Sequence, residues 1–218
     1  MRHLTATFLI IAGLAGGSAS ADVDLPGRIS FGFNVGGCHS ANNHSRWSAS
    51  GVGYTYFGEV AYESTSWLVA PLIQWGYTYA AGDVPSWESE GYSAPPTEIK
   101  GEGDTFIIGG RVRVPLWRMK LRPYAGGGVA WTNYNRIVLD NADVLADNGS
   151  FGTGWAALGG LEFFPSPASG FSLALEYRYG VTKQEWRQPP VQGDKGPFEL
   201  EFDLTEKLLT IGVKVYVL

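Results

Sequence analysis

The sequence predicts an all-β protein built as an antiparallel, up-and-down, eight-stranded transmembrane β-barrel. Three observations lead there. Eight stretches alternate apolar or aromatic residues with small or charged ones at a period of two, which gives strands with two unlike faces. The connections between these stretches alternate long and short, as they do where loops face one side of a membrane and tight turns face the other. Charged residues make up 17% of the chain and aromatics 14%, so the strands face something other than water.

Met1 to Ala21 has a basic start (Arg2, His3), an apolar run through Phe8-Leu9-Ile10-Ile11 and a small-residue end, Ala19-Ser20-Ala21. This reads as a secretory signal with an A-x-A cleavage site, leaving 22–218 as the barrel domain. Cleavage removes Arg2, so 15 of the 16 basic residues remain against 21 acidic ones, a formal charge of −6. A nucleic-acid partner, which would want a basic face, is not expected. Beyond the signal no run approaches the roughly 18 apolar residues of a membrane helix, and a membrane protein without one must close its backbone hydrogen bonds in a barrel. Cys38 is the single cysteine, so no intramolecular disulfide is expected. A small half-buried residue near a strand end is the simpler reading, with a reactive or lipidated thiol as the other.

The expected strands follow in order. Arg28 to Gly36 sets Ile29, Phe31, Phe33 and Val35 against Ser30, Gly32 and Asn34. Val52 to Glu63 sets Val52, Tyr54, Tyr56, Val60 and Tyr62 against Thr55, Glu59 and Glu63. The third begins at Trp67 and turns Val69, Ile73, Trp75, Tyr77 and Tyr79 outward; its Pro71 lacks a ladder donor, so a bulge or break is expected there. Asp104 to Val114 alternates Phe106, Ile108, Val112 and Val114 with Thr105, Gly109, Arg111 and Arg113. Lys120 to Tyr134 gathers Arg122, Tyr124, Gly126, Gly128 and Thr132 on one face. Gly154 to Phe164 places Trp155, Ala157, Leu161 and Phe163 opposite Leu158, Gly160 and Glu162. Phe171 to Val181 is the clearest, with Phe171, Leu173, Leu175, Tyr177, Tyr179 and Val181 against Ser172, Ala174, Glu176, Arg178 and Gly180. Leu208 to Leu218 closes the set, with Leu209, Ile211, Val213, Val215 and Val217 on one side.

Alternation by itself does not say which face is outside, because a soluble ligand-carrying barrel turns its apolar face inward. The other face decides. It is mostly Gly, Ala, Ser and Thr with a few charges, the set that fits the inside of a narrow barrel and not a water-facing surface. The charges on that face are Arg28, Arg111, Arg113, Arg122, Arg178 and Lys214, with Glu59, Glu63, Glu162 and Glu176. Buried ions must be paired, so these ten are expected to form an ion-pair network filling the lumen, in preference to a polar conduit.

The expected long connections are Gly37 to Gly51, Ala80 to Gly103, Asn135 to Thr153 and Thr182 to Lys207. The first holds His39-Ser40 and His44-Ser45, each a base beside a hydroxyl. In residue types, though not in a fuller motif, this resembles lipid A deacylases on small barrels; a polar surface loop explains it more simply, and no catalytic role is assigned. The second carries Asp83, Glu88, Glu90, Glu98 and Glu102, and the third Asp140, Asp143 and Asp147. Their spacing matches no EF-hand loop, two histidines make no zinc set, and no metal or cofactor is expected.

With its signal, eight alternating strands, glycine-rich inner face and loop asymmetry, the chain from Asp22 to Leu218 resembles the small outer-membrane β-barrel superfamily. That group includes the membrane domain of outer membrane protein A and the opacity and adhesion-invasion barrels. The resemblance implies a bacterial outer-membrane location, with outer-membrane lipid and lipopolysaccharide around the wall. It also implies insertion by the barrel-assembly machinery, whose usual signal is a terminal aromatic residue; this chain ends Val215-Tyr216-Val217-Leu218. No peptidoglycan-tethering domain is expected. The function expected is structural or surface contact through the long loops, with a surface partner there and no enzymatic role. A lipid A-modifying enzyme and a soluble periplasmic carrier are the alternatives.

Overall fold

The computed structural model describes residues 27–42, 50–64, 69–84, 87–89, 92–94, 97–113, 120–140, 145–146, 150–166, 169–188 and 198–217. Eight long strands make the wall: β1 (Gly27–Asn42), β2 (Ser50–Ser64), β3 (Val69–Val84), β4 (Thr97–Arg113), β5 (Leu121–Asp140), β6 (Ser150–Phe163), β7 (Phe171–Gln188) and β8 (Phe198–Val217). Each pairs antiparallel with its sequence neighbour, and β1 pairs with β8, so the sheet is closed. Closure leaves no strand edge, which is what a bilayer requires. A small hairpin of Trp87–Ser89 with Tyr92–Ala94 lies between β3 and β4.

The register fixes the size of the barrel. Stepping across paired residues from Phe31 through Val60, Ile73, Ile108, Val129, Trp155, Val181 and Thr205 returns to β1 at Ala41, ten residues farther on. Eight strands with that stagger tilt by about 40°, and each residue climbs roughly 2.5 Å along the axis. The lumen is then narrow enough for side chains to fill.

The expected faces are those seen. Ile29, Val69, Ile73, Ile108, Val129, Leu173, Leu175 and Ile211 are all exposed on the outer wall, while Glu59, Arg111, Glu162 and Lys214 are buried within it. A soluble barrel with an apolar interior is therefore ruled out. On β7 the outward row stays apolar from Phe171 to Val181 and turns polar at Lys183 and Glu185; on β8 it changes at Lys207 and on β4 at Asp104. About ten residues of apolar wall make a belt roughly 25 Å tall, the thickness of the outer-membrane hydrocarbon. Along its upper edge stand Tyr54, Tyr56, Tyr77, Tyr79, Phe106, Trp131, Trp155 and Tyr179, in ring-to-ring contacts such as Tyr54–Tyr79 at 5.2 Å and Trp155–Tyr179 at 5.6 Å.

Three expectations need correction. Pro71 makes no bulge or break: β3 pairs with β4 without a shift through Pro71↔Gly110, and the β2 ladder has already stopped at Leu72. A proline is tolerated where one side of the strand has no partner to receive its missing donor. The register shift that does occur lies between Glu102 and Gly103, opposite the extra residue Asn135. The strands also run farther than the alternation predicts. The wall continues to Asn42, Val84, Asp140 and Gln188 on the way up and resumes at Ser50, Thr97, Ser150 and Phe198, so much of each expected loop is strand. Finally, Cys38 is in mid-β1, facing inward at 5% exposure, with Sγ 3.2 Å from the Tyr79 carbonyl oxygen. Trp67, Val114 and Leu218 lie outside the described residues.

Candidate functional site

The site is the lower lumen, at the end where β1 starts at Gly27 and β8 stops at Val217, and all eight strands contribute to it. Period-two alternation brings one inward residue every two positions, and the stagger stacks these residues in layers. Arg111 on β4 is fully buried. Its Nη1 pairs with Glu59 on β2 and lies 3.8 Å from Glu162 on β6; its Nη2 is 2.5 Å from Glu63 and donates to Ser30 Oγ on β1 at 3.0 Å. Lys214 on β8, equally buried, places Nζ 3.0 Å from Glu59 and 3.0 Å from Glu162. Two cations thus share two carboxylates across the width of the barrel.

Neutral groups complete the set. Gln74 on β3 donates from Nε2 to Glu59 at 2.9 Å and to Glu176 on β7 at 3.1 Å, and accepts at Oε1 from Arg178 at 3.5 Å. The Tyr124 hydroxyl on β5 donates to Glu176 at 2.7 Å, and its ring lies 4.5 Å from the Lys214 ammonium. Tyr216 donates to Glu162 at 3.0 Å. Arg178 lies over the Phe57 ring at 4.9 Å and Arg122 over Phe164 at 4.0 Å. In a dry interior each ion needs a countercharge and its remaining lone pairs and protons need partners. Four carboxylates (Glu59, Glu63, Glu162, Glu176) here share three cations, Arg111 and Lys214 directly and Arg178 through Gln74, with Tyr124, Tyr216 and Ser30 also donating or bridging within the cluster.

Of the ten residues expected in the lumen, Glu59, Glu63, Arg111, Glu162 and Lys214 are joined by ion pairs, and Glu176 and Arg178 reach them through Gln74. Arg122 is buried beside Phe164, below the main cluster. Arg28 is exposed at the lower end of β1, across the register from Glu63. The Arg113 side chain lies outside the described residues. Gln74, Tyr124 and Tyr216 carry no charge, so a search of the sequence for ions passes over them. Glu206, which accepts from Tyr134 at 3.1 Å in the upper lumen, escapes it too, because its stretch does not alternate as the lower strands do.

The pairs His39-Ser40 and His44-Ser45 stand differently. His39 faces outward and is exposed, whereas Ser40 faces inward and is buried, so the barrel wall separates this base from its hydroxyl. His44 and Ser45 lie outside the described residues. Among the described residues no group of three His, Cys, Asp or Glu is placed to hold a metal.

Comparison with known proteins bears on the whole chain. A search of curated protein sequences found no match. Among solved structures, the fold is similar to a major outer membrane protein from Thermus thermophilus, at 11% identity and a TM-score of 0.52, covering 88% of this chain and 100% of that one. It is similar also to the outer membrane protein OprG from Pseudomonas aeruginosa, at 12% identity and a TM-score of 0.51, covering 88% and 99%. Neisserial surface protein A matches at 17% identity and a TM-score of 0.49, covering 85% and 96%. The family model for the outer membrane protein beta-barrel domain matches residues 6–214. With that match spread over eight closed strands whose apolar rows face outward, the chain belongs to the outer membrane protein β-barrel domain family and is a protein of the bacterial outer membrane.

Proposed function

We propose that this barrel is a structural and surface-contact protein: a rigid, occluded wall that carries four extracellular connections to a partner at the cell surface. The observation that carries the reading is the double bridge of Arg111 and Lys214 to Glu59 and Glu162, which joins β4 and β8 to β2 and β6 across the lumen. An eight-stranded barrel has little interior beyond its side chains, and these are ion-paired. A solute pathway would have to break that network. β1, β3, β5 and β7 end at Asn42, Val84, Asp140 and Gln188, opposite the end where β1 starts at Gly27 and β8 stops at Val217; in such barrels that end is the extracellular one, and the connections 43–49, 85–96, 141–149 and 189–197 are read as reaching the surface from it. Assembly by the barrel-assembly machinery, with lipopolysaccharide around the wall, belongs to the same reading.

Planar-bilayer recording and loop deletion test it together. The purified protein is expected to add no steady conductance, and deleting 189–197 is expected to spare folding, read as a band that shifts on boiling, while removing adhesion of cells that display the protein. A stable open channel in the unaltered protein would contradict the occluded lumen. Adhesion unchanged by deletion of each connection in turn would contradict surface contact.

A further inference from the structure

The aromatic edge of the apolar belt is not evenly distributed around the barrel. It runs across β2 to β7, while β8 and β1 carry Leu209 and Val35 at the same height, below Lys207 and His39. These two basic side chains are directly opposed across the β1–β8 ladder, both outward and both exposed. In such a pair the Cβ atoms stand about 5 Å apart. Among the described residues neither side chain has an ion-pair or hydrogen-bond partner. Thr205, the next outward residue up β8, adds a hydroxyl beside them. The first outward carboxylate on β7, β8 or β1 is Asp203, opposite Lys183 and about 13 Å farther up the strand from Lys207. On β4, by contrast, outward charge at this level is acidic: Asp104 and, above it, Glu102, which accepts a hydrogen bond from Tyr77. Below the basic pair the wall is open at Gly37, where a Cβ would meet only the Gly53 carbonyl oxygen at 3.9 Å. Exposed Leu209 flanks that strip on one side and exposed Tyr54 on the other.

We infer that Lys207 and His39 form a binding site for a phosphate of a phosphorylated saccharide lipid, the lipid A part of lipopolysaccharide, with one acyl chain lying in the strip over Gly37. A phosphate accepts several charge-assisted hydrogen bonds at once, and an ammonium, an imidazole N–H and a hydroxyl on one patch supply the donors. Two basic groups placed face to face across a ladder oppose each other when both are charged, and an anion seated between them removes that cost. The height fits as well. Lys207 is the first charge above the apolar row of β8, where the wall leaves hydrocarbon and enters the head-group layer. The aliphatic strip beneath continues the direction of an amphiphile. The site takes from the reading above that this end of the barrel is extracellular, with lipopolysaccharide around it, and nothing from the surface contact of the connections.

The test is native mass spectrometry of the folded barrel released from micelles. These hold equal amounts of bis-phosphorylated lipid A and of the same lipid with both phosphates removed. The unaltered protein is expected to retain one phosphorylated molecule with about fivefold preference. Lys207→Gln combined with His39→Gln should bring the ratio to about one, and Lys207→Arg should keep it, while Lys100→Gln, on the β4 wall, should leave it unchanged. Lys207 and His39 are exposed, so these variants are expected to fold, and the boiling shift checks that they do. Micelles have no sides, so failure here would strike the site and not the orientation or the surface contact, which loop deletion on cells tests alone. Equal retention of the two lipids by the unaltered protein, or a preference that survives the double substitution, would overturn the assignment. So would inorganic phosphate bound in place of the lipid when both are supplied, which would make the patch a site for a free anion.

Discussion

The lower and upper halves of this barrel place polarity in opposite ways. Below, the outer wall is Leu, Ile, Val and Phe, and the interior holds Arg111, Lys214, Glu59 and Glu162. Above, the outer wall carries Lys183, Asp203 and Lys207, and the interior is Thr55, Thr78, Thr132, Leu204 and Leu208, with Glu206. β1, β7 and β8 run straight through both halves with the same register, so backbone geometry does not cause the difference. Its cause is the medium outside. Where the wall touches hydrocarbon, charge is tolerated only inside and only in pairs. Where the wall rises into water, charge returns to the surface, and the interior can be closed by small and aliphatic groups, as in an ordinary soluble strand.

Substitutions can sharpen or break that contrast. The largest effect is expected from Arg111→Ala, which leaves Glu59 and Glu63 facing each other in a buried site without their shared guanidinium. Removing one partner of such a network costs about 3–5 kcal/mol; urea titration of the barrel in lipid vesicles should show it as a lower unfolding midpoint. Next comes Leu175→Arg, close to the middle of the apolar belt, at about 2–4 kcal/mol in the same assay. Thr205→Arg, higher up on the neighbouring strand's outer face, should cost under about 1 kcal/mol, since that position already lies between Lys207 and Asp203. If Leu175→Arg and Thr205→Arg were equally mild, the apolar belt would be misplaced. Smallest is Gly58→Ala, where the new methyl must lift the Trp75 ring; a loss under about 1 kcal/mol is expected, with a change in Trp75 fluorescence.

The same contrast explains how far the sequence can be read. Residues 171–181 lie wholly within the belt, and their alternation gives both the strand and its faces. The extension to Gln188 and the start of β8 at Phe198 escape because the pattern reverses there: Asp203, Thr205 and Lys207 are outward while Leu204, Glu206 and Leu208 are inward. A reading that expects apolar residues outside sees a loop. Cys38 and His39 read as loop for the same reason, although they continue β1 without interruption. In the lumen, a search for charge finds Glu59, Arg111, Glu162 and Lys214 but passes over Gln74 and Tyr124, whose importance depends on which strands meet across the axis. The outward basic pair is equally hidden, because Lys207 and His39 face each other only once the register is known.

Accessibility along β7 tests the central claim most directly. Nitroxide labels would be placed one at a time at 171–185 in a Cys38→Ala background, with the folded barrel in lipid vesicles, and their collision rates with oxygen and with a water-soluble nickel complex compared. The account predicts oxygen access at odd positions through Val181, low access to both at the even positions, and a switch to nickel at Lys183 and Glu185. Oxygen access at the even positions, or no alternation, would contradict a barrel that turns its apolar rows to lipid and locks its charges inside.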